Sequence, residues 1–414
     1  MSGAKDVEKQ LRSVVTDATK KLNLSKFTID LNLNALKGDG FLGEFYKVSV
    51  KDDESNSIYY LAIKKAPVEK TRREEQSMDM VYQNEISFYS EIVPAFRQFE
   101  QEQHVSKPFD SIARYFTSNS QIGREIIVFE DITKMGYILR EKDLLLDDAH
   151  AKLIFETYGH YHAISFCLKN KKPEEFARLT ASLHPIWKNL GEKERFLTFL
   201  KASLKDTQES LNPDEDEIVL EKFRKYVDNT QEIFLESCDY KGQYSGIVHG
   251  DCWSNNMMFK YQDPHIPTEV ESMKLLDFQL VFASTPVHDL SYFFYTSGCK
   301  KLFDKLEEYL DIYYQSFSKF ASELGCDPHK LLPREMLSQD WKKYSQFGMM
   351  LSTILTKIKL ISKEDSIKII EAADNQKEGD KVNESGFEGL NFDSVLFKQR
   401  VRDIVIHMHE IDAL

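Results

Sequence analysis

Hydrophobic positions follow one period in the first third of this chain and another beyond it. Phe45-Tyr46-Lys47-Val48-Ser49-Val50 and Ile58-Tyr59-Tyr60-Leu61-Ala62-Ile63-Lys64 alternate with a period of two, which predicts strands joined by the polar turn Lys51 to Ser57. Val81, Phe88, Tyr89, Ile92 and Phe96 form a stripe at helical spacing and predict a helix from Met78 to Phe96. Glu125 to Phe129 reads as a buried strand. Beyond Ile132 the pattern is mostly helical. Asp148 to Leu168 is one predicted helix, and Pro173 opens the next in the first-turn position that suits proline. A long helix from Leu302 to Leu324 is stopped by Gly325, and a last one runs from about Ser394 to Glu410 after the polar, loop-like stretch Glu371 to Gly389. Within this helical half, Met257 to Lys260 and Met273 to Leu276 flank a loop with Pro264 and Pro267 and read as a hairpin.

At 414 residues the chain exceeds one small core, and the change of period divides it into an α+β part, 1–132, and a helical part, 133–414. A content of 42% hydrophobic and 29% charged residues marks a soluble globular protein. The net charge of -13 and the lack of a basic stripe argue against a nucleic-acid partner, because phosphate backbones demand clustered Lys and Arg. The polar start, Met1 to Gln10, lacks the apolar core of a signal peptide, and no apolar run approaches the ~20 residues of a membrane span. Five scattered cysteines without a C-x-x-C pair point to a reduced, cytoplasmic protein with neither disulfide framework nor structural zinc. Nothing in the composition calls for an obligate protein partner.

Two short apolar runs in the second half each deliver an aspartate. Ile247-Val248-His249-Gly250-Asp251-Cys252-Trp253-Ser254-Asn255-Asn256 places an asparagine five residues after Asp251, and Lys274-Leu275-Leu276-Asp277-Phe278-Gln279 ends the hairpin on Asp277. This is the layout of phosphoryl transfer, which needs a carboxylate for the acceptor hydroxyl and an amide plus a second carboxylate to hold Mg²⁺ against the phosphates of ATP. Gly38-Asp39-Gly40-Phe41-Leu42-Gly43 matches G-x-G-x-x-G; with a strand following it rather than a helix, it suits a phosphate-covering kinase loop more than a dinucleotide fold, although an ordinary turn gives the same pattern. Strand alternation puts Ala62 and Lys64 on one face, suited to an adenine ring and to phosphates, and turns Lys65 the other way. Glu85 falls on the apolar stripe of its helix, where a carboxylate is costly unless paired, and Lys64 is the natural partner. Glu130, Asp131 and Ile132 end a strand at the switch of period, where hinge backbone groups would read the adenine edge; plain linker residues fit there equally. His160 and His162 lie two apart on a helix and cannot share a metal, so His162 reads as packing or cleft lining. The acidic run Asp214-Glu215-Asp216-Glu217 could attract a cation but reads more simply as solvated loop.

On these motifs the chain resembles the kinase-like small-molecule phosphotransferases that include choline kinases and aminoglycoside phosphotransferases. More narrowly it resembles the ecdysteroid kinase-like family of arthropods. The resemblance is carried by His249 to Asn256, by Leu276-Asp277-Phe278-Gln279, by Pro286-Val287-His288-Asp289-Leu290-Ser291-Tyr292-Phe293, by Lys64 followed by Pro67, and by Glu85 with Phe88-Tyr89. It implies a two-lobed protein kinase-like fold with an antiparallel-sheet ATP-binding lobe and a mainly helical catalytic and acceptor-binding lobe. It also implies Asp251 as catalytic base supported by His249, Asn256 and Asp277 as Mg²⁺ ligands, Asp289 as a brace of the catalytic loop, and ATP as donor. The implied acceptor is an ecdysteroid or another hydroxylated apolar molecule. Only nine residues, Leu280 to His288, separate Gln279 from Asp289, which leaves no room for a peptide-docking segment. Glycine precedes Asp251 where protein kinases carry arginine, so the charge that pairs with a phosphorylated activation loop is missing. A kinase for a cationic acceptor and a silent nucleotide-binding scaffold are the rival readings.

Overall fold

The computed structural model describes residues 2–33, 43–69, 73–74, 77–141, 144–263, 265–361 and 394–414. Gly38, Gly40 and the predicted loop Glu371 to Gly389 lie outside the described residues.

Five antiparallel strands form the first sheet: β1 (Phe27–Leu31), β2 (Glu44–Asp52), β3 (Ile58–Lys65), β4 (Tyr115–Asn119) and β5 (Ile126–Glu130), in the order β1-β2-β3-β5-β4. One face is covered by a helix that sequence reading overlooked, Ser2–Lys21. Its Leu11, Val14, Val15 and Ala18, spaced i, i+3, i+4, i+7, bury against Val48, Leu61, Ile63 and Val128. Because Leu61 and Ile63 face this helix, the pleat turns Ala62 and Lys64 to the opposite, cleft-lining face.

The expected helix Met78 to Phe96 is longer and interrupted: α-helix over Met78–Ser87, a π-turn over Phe88–Ile92, and α-helix again over Val93–Glu102. Pro94 has no N–H to offer Ser90, and the Ser90 hydroxyl competes for the Ile86 carbonyl at 2.7 Å. The Val93 N–H therefore reaches back to Phe88 O, a five-residue bond. The extra residue keeps Phe88, Tyr89, Ile92 and Phe96 all buried.

Three small strand pairs carry the segments that hold Asp251 and Asp277. Strands β7 (Gly246–Val248) and β10 (Phe282–Ser284) pair antiparallel. Strands β8 (Met257–Tyr261) and β9 (Val270–Leu275) form the expected hairpin, with β6 (Ile138–Leu139) at its edge. The remainder is helical. Helix Asp148–Lys171 packs along Leu306–Glu323, and Val287–Ser297 packs against Gln346–Leu360. The predicted helix Leu302 to Leu324 is broken at Asp304 and Lys305 into Lys300–Phe303 and Leu306–Glu323, and Gly325 ends it in a left-handed conformation (φ 70°). The acidic run after Pro213 is not merely solvated: Asp216 is buried and takes Arg402 Nε at 2.7 Å, which ties the closing helix Ser394–Glu410 to the lobe. The outcome is a two-lobed α+β kinase-like fold. One apolar cluster joins the Met78–Glu102 segment to the helical lobe, while the sheet and first helix have a smaller core of their own. No described helix is long and apolar enough to cross a membrane.

Candidate active site

Lys64, near the end of β3, is 2% exposed and Glu85 is 1% exposed, so each needs its partner. Lys64 Nζ donates to Glu85 Oε2 at 2.6 Å and also to Asp277 Oδ1. Burial alone would lower the lysine's pKa, but the two carboxylates outweigh it and hold the ammonium above the ordinary lysine value. The Glu85 carboxyl is in turn raised by burial, with Lys64 opposing. One cation thus serves two carboxylates. Lys65 points to the other face, as its place in the pleat requires, and pairs with Glu44 at 3.1 Å.

Asp277 follows β9 in the left-handed region (φ 66°), a conformation that aspartate tolerates better than most residues. The turn drives the next ring, Phe278, into the core, where it stacks on Phe88 with centroids 3.7 Å apart. Gln279 then spans the site. Its Oε1 lies 3.5 Å from Lys64 Nζ and its Nε2 lies 3.5 Å from Asp251 Oδ2. A chain of polar contacts therefore runs from Glu85 through Lys64 and Gln279 to Asp251.

The loop after β7 is held from both sides. Asp289, fully buried at the start of helix Val287–Ser297, accepts the N–H groups of His249 (2.7 Å) and Gly250 (2.9 Å) and His162 Nε2 at 3.0 Å. Burial works against its charge, but the hydrogen bond from His162 keeps its carboxyl below the usual range. His249 donates from Nε2 to Leu276 O at 2.8 Å and accepts the Asp251 N–H on Nδ1 at 3.2 Å. Burial lowers its pKa, so it is the neutral imidazole that clamps the two aspartate-bearing segments together. Both nitrogens of His249 are thus committed to backbone groups.

Gly250 sits at φ 82°, and a Cβ there would lie 2.1 Å from Leu280 O. Any side chain would force the Leu280 backbone away, which explains glycine before Asp251 independently of charge. Gly250→Ala is expected to lower stability by about 2–5 kcal/mol, combining the left-handed penalty with overpacking; a urea denaturation midpoint within error of the unmodified protein would refute this. Gly43, at the described edge of the glycine loop, is similarly constrained: its Cβ would meet Tyr82 Oη at 2.5 Å.

Asp251 accepts Asn256 Nδ2 on Oδ2 at 2.8 Å and Tyr292 Oη on Oδ1 at 3.0 Å. Burial, aided by Asp277, pushes its carboxyl up to about 7 against the pull of those donors. Asn256 has its amide nitrogen turned to Asp251, which leaves Oδ1 as its donor toward a cation. Among the described residues no three His, Cys, Asp or Glu side chains gather to hold a metal by themselves. The oxygens of Asp277 and Asn256 nevertheless fit Mg²⁺, a hard cation bound through one or two protein ligands with water and substrate phosphates completing its shell.

At the hinge, the Glu130 N–H is taken by Arg114 O (2.9 Å) and the Asp131 N–H by Tyr60 O (2.9 Å). The Asp131 side chain caps Thr133 and pairs with Lys47 at 3.2 Å. Those two N–H groups are therefore taken within the protein, and so is the Asp131 carbonyl, which accepts the Lys134 N–H at 3.1 Å. Ala62, half-buried, lies opposite Phe129 in the β3–β5 register on the cleft face.

Sequence reading named Tyr292 within a motif but gave it no role, and it missed Trp187 and Asn84. Tyr292 was accessible, since it follows Asp289 by three on one helix and shares its face. Trp187, whose Nε1 donates to Gly250 O at 2.7 Å, and Asn84, which bonds His184 and donates to Gln279 O at 3.3 Å, act over separations that no local pattern reveals. His160 is packed edge-on against Phe320, and burial lowers its pKa to about 4.

A lysine–glutamate pair under an antiparallel sheet, facing two loop aspartates and an asparagine, defines a phosphotransferase of the kinase-like class. The chain belongs to the ecdysteroid kinase-like family, whose profile matches residues 37–326. Among curated proteins none matches it. Similar solved structures include an ethanolamine kinase of Plasmodium vivax, at 12% identity and TM-score 0.39 over 91% of this chain and 81% of that one. Another is the GDP complex of an aminoglycoside 2'-phosphotransferase IIIa mutant, at 12% identity and TM-score 0.40 over 87% of this chain and 96% of that one.

Proposed function

We propose that this protein is a Mg²⁺-dependent kinase that moves the γ-phosphoryl group of ATP to a hydroxyl of an ecdysteroid or a similar hydroxylated apolar molecule. The observation that carries the proposal is the single connected site Glu85–Lys64–Gln279–Asp251, with Asp277 on the same lysine. Lys64 would hold the α- and β-phosphates, oriented by Glu85, and Asp277 with Asn256 would hold Mg²⁺, which offsets the charge that develops on the transferring group. Asp251 orients the acceptor hydroxyl and takes its proton.

The apolar acceptor is favoured by what surrounds Asp251. Tyr292 is backed by Trp187 and Phe347, rings at 6.1 and 5.8 Å, and the acidic run that might have drawn a cation is committed through Asp216 and Glu215 to Arg402. The test is incubation with labelled ATP, Mg²⁺ and a panel of hydroxylated steroids, choline and xenobiotic alcohols, read by mass spectrometry. Gain of one phosphoryl group by a steroid is expected. Transfer to choline alone would establish the cationic-acceptor reading instead, and a melting temperature raised by Mg-ATP with no transfer to any acceptor would leave a silent nucleotide-binding scaffold.

A further inference from the structure

Asp251 has two oxygens, and the surrounding protein treats them differently. A carboxylate oxygen offers about two lone-pair sites. Oδ2 is approached by two donors, Asn256 Nδ2 at 2.8 Å and Gln279 Nε2 at 3.5 Å. Oδ1 receives one, the Tyr292 hydroxyl at 3.0 Å. The carboxylate therefore keeps its open site on Oδ1, next to the phenol.

Tyr292 cannot easily leave that position. It is 2% exposed, and its ring meets Trp187 edge-on at 6.1 Å and 85° and Phe347 at 5.8 Å and 71°. Trp187 is itself pinned by its bond to Gly250 O. Tyr292 also shares helix Val287–Ser297 with Asp289, so one rigid element holds the backbone of the catalytic loop through Asp289 and the side chain of its aspartate through Tyr292.

We propose that Tyr292 is a positioning residue that directs the acceptor hydroxyl to Oδ1 of Asp251, with its own hydroxyl bordering the place where the acceptor oxygen sits. The inference rests on the kinase reading above. In the transfer, the acceptor O–H proton passes to Asp251 Oδ1 while the acceptor oxygen bonds the γ-phosphorus, and the bond from that phosphorus to the bridging oxygen breaks to release ADP. Without the phenol the carboxylate can rotate, and its free lone pair no longer points at the hydroxyl.

Tyr292→Phe removes only the hydroxyl and keeps the ring packing, so the fold should survive. The test follows ADP release from Mg-ATP with water as acceptor, and phosphoryl transfer with the steroid panel, for Tyr292→Phe, Asp251→Asn and the double variant, together with melting temperatures. A fall in kcat of about 10- to 100-fold with KM for Mg-ATP unchanged is expected for Tyr292→Phe. In the Asp251→Asn background the same change should cost no further turnover, and the melting shifts of the two single variants should not add. Turnover at the unmodified rate, a change in KM for Mg-ATP alone, or a loss that persists undiminished without the Asp251 carboxylate would overturn the proposal. If the unmodified protein releases no ADP from Mg-ATP and phosphorylates no steroid, choline or xenobiotic alcohol, the kinase reading falls. The melting cycle then decides the role of Tyr292 alone, with additive shifts counting against it.

Discussion

Asp251→Asn is expected to slow phosphoryl transfer about 100- to 10,000-fold, the usual contribution of a positioned general base. The shape of the site survives the change. Asn256 can donate to the new amide oxygen, and the Tyr292 hydroxyl, which donates to Asp251 now, can accept from the new amide nitrogen instead. Stability should hardly fall, because burial already opposes the ionised form of Asp251, whose carboxyl is pushed up to about 7. Stabilisation by Mg-ATP should persist, since Lys64 and Asp277 are untouched. The pairing of lost turnover with retained thermal shift is the informative result. An Asp251→Asn protein that transfers at the unmodified rate would remove the base from the mechanism.

Lys64→Met is expected to destroy transfer and also to lower stability by about 3–5 kcal/mol, the cost of leaving a buried charge without its partner. Lys64 is the cation that contacts both Glu85 and Asp277, and Glu85 has no solvent to turn to. Adding Glu85→Leu should recover most of the stability, because removing both members of a buried pair is close to neutral when the replacements pack. Transfer should stay lost, because no ammonium then reaches the phosphates. Urea denaturation at constant m-value separates the two effects. If the single Lys64→Met protein were as stable as the unmodified one, the ion triad would be no part of the folded state. If it still transferred phosphate, Lys65 would have to be the phosphate-binding lysine, despite its pairing with Glu44 on the far face.

Elements written in local periodicity were legible without a structure. The β2–β3 and β8–β9 hairpins and the closing helix Ser394–Glu410 fall where alternation and helical spacing put them. The proline-opened helix at Pro173 was equally readable. Legibility failed where one residue overrides a local pattern. Pro94 adds a π-turn inside an otherwise regular stripe, and the stripe of Leu11, Val14, Val15 and Ala18 went unread in a segment rich in charged residues. Asp216 looked solvated because its partner, Arg402, lies in the last helix of the chain.

The same division runs through the site. The spacing from Asp251 to Asn256, the position of Asp277 at a strand end, and a carboxylate on the buried stripe at Glu85 are features of adjacent residues, and the amino-acid order alone determined them. The shortness of the Leu280 to His288 span is of the same kind. Tertiary structure decided the rest. It put His249 across two segments as a neutral clamp, demanded glycine at 250 by bringing Leu280 O to the place of a Cβ, and set Tyr292 on one oxygen of Asp251. These contacts join residues 27 to 41 positions apart, and their energies depend on burial and approach distance. Neither quantity exists until the chain has packed.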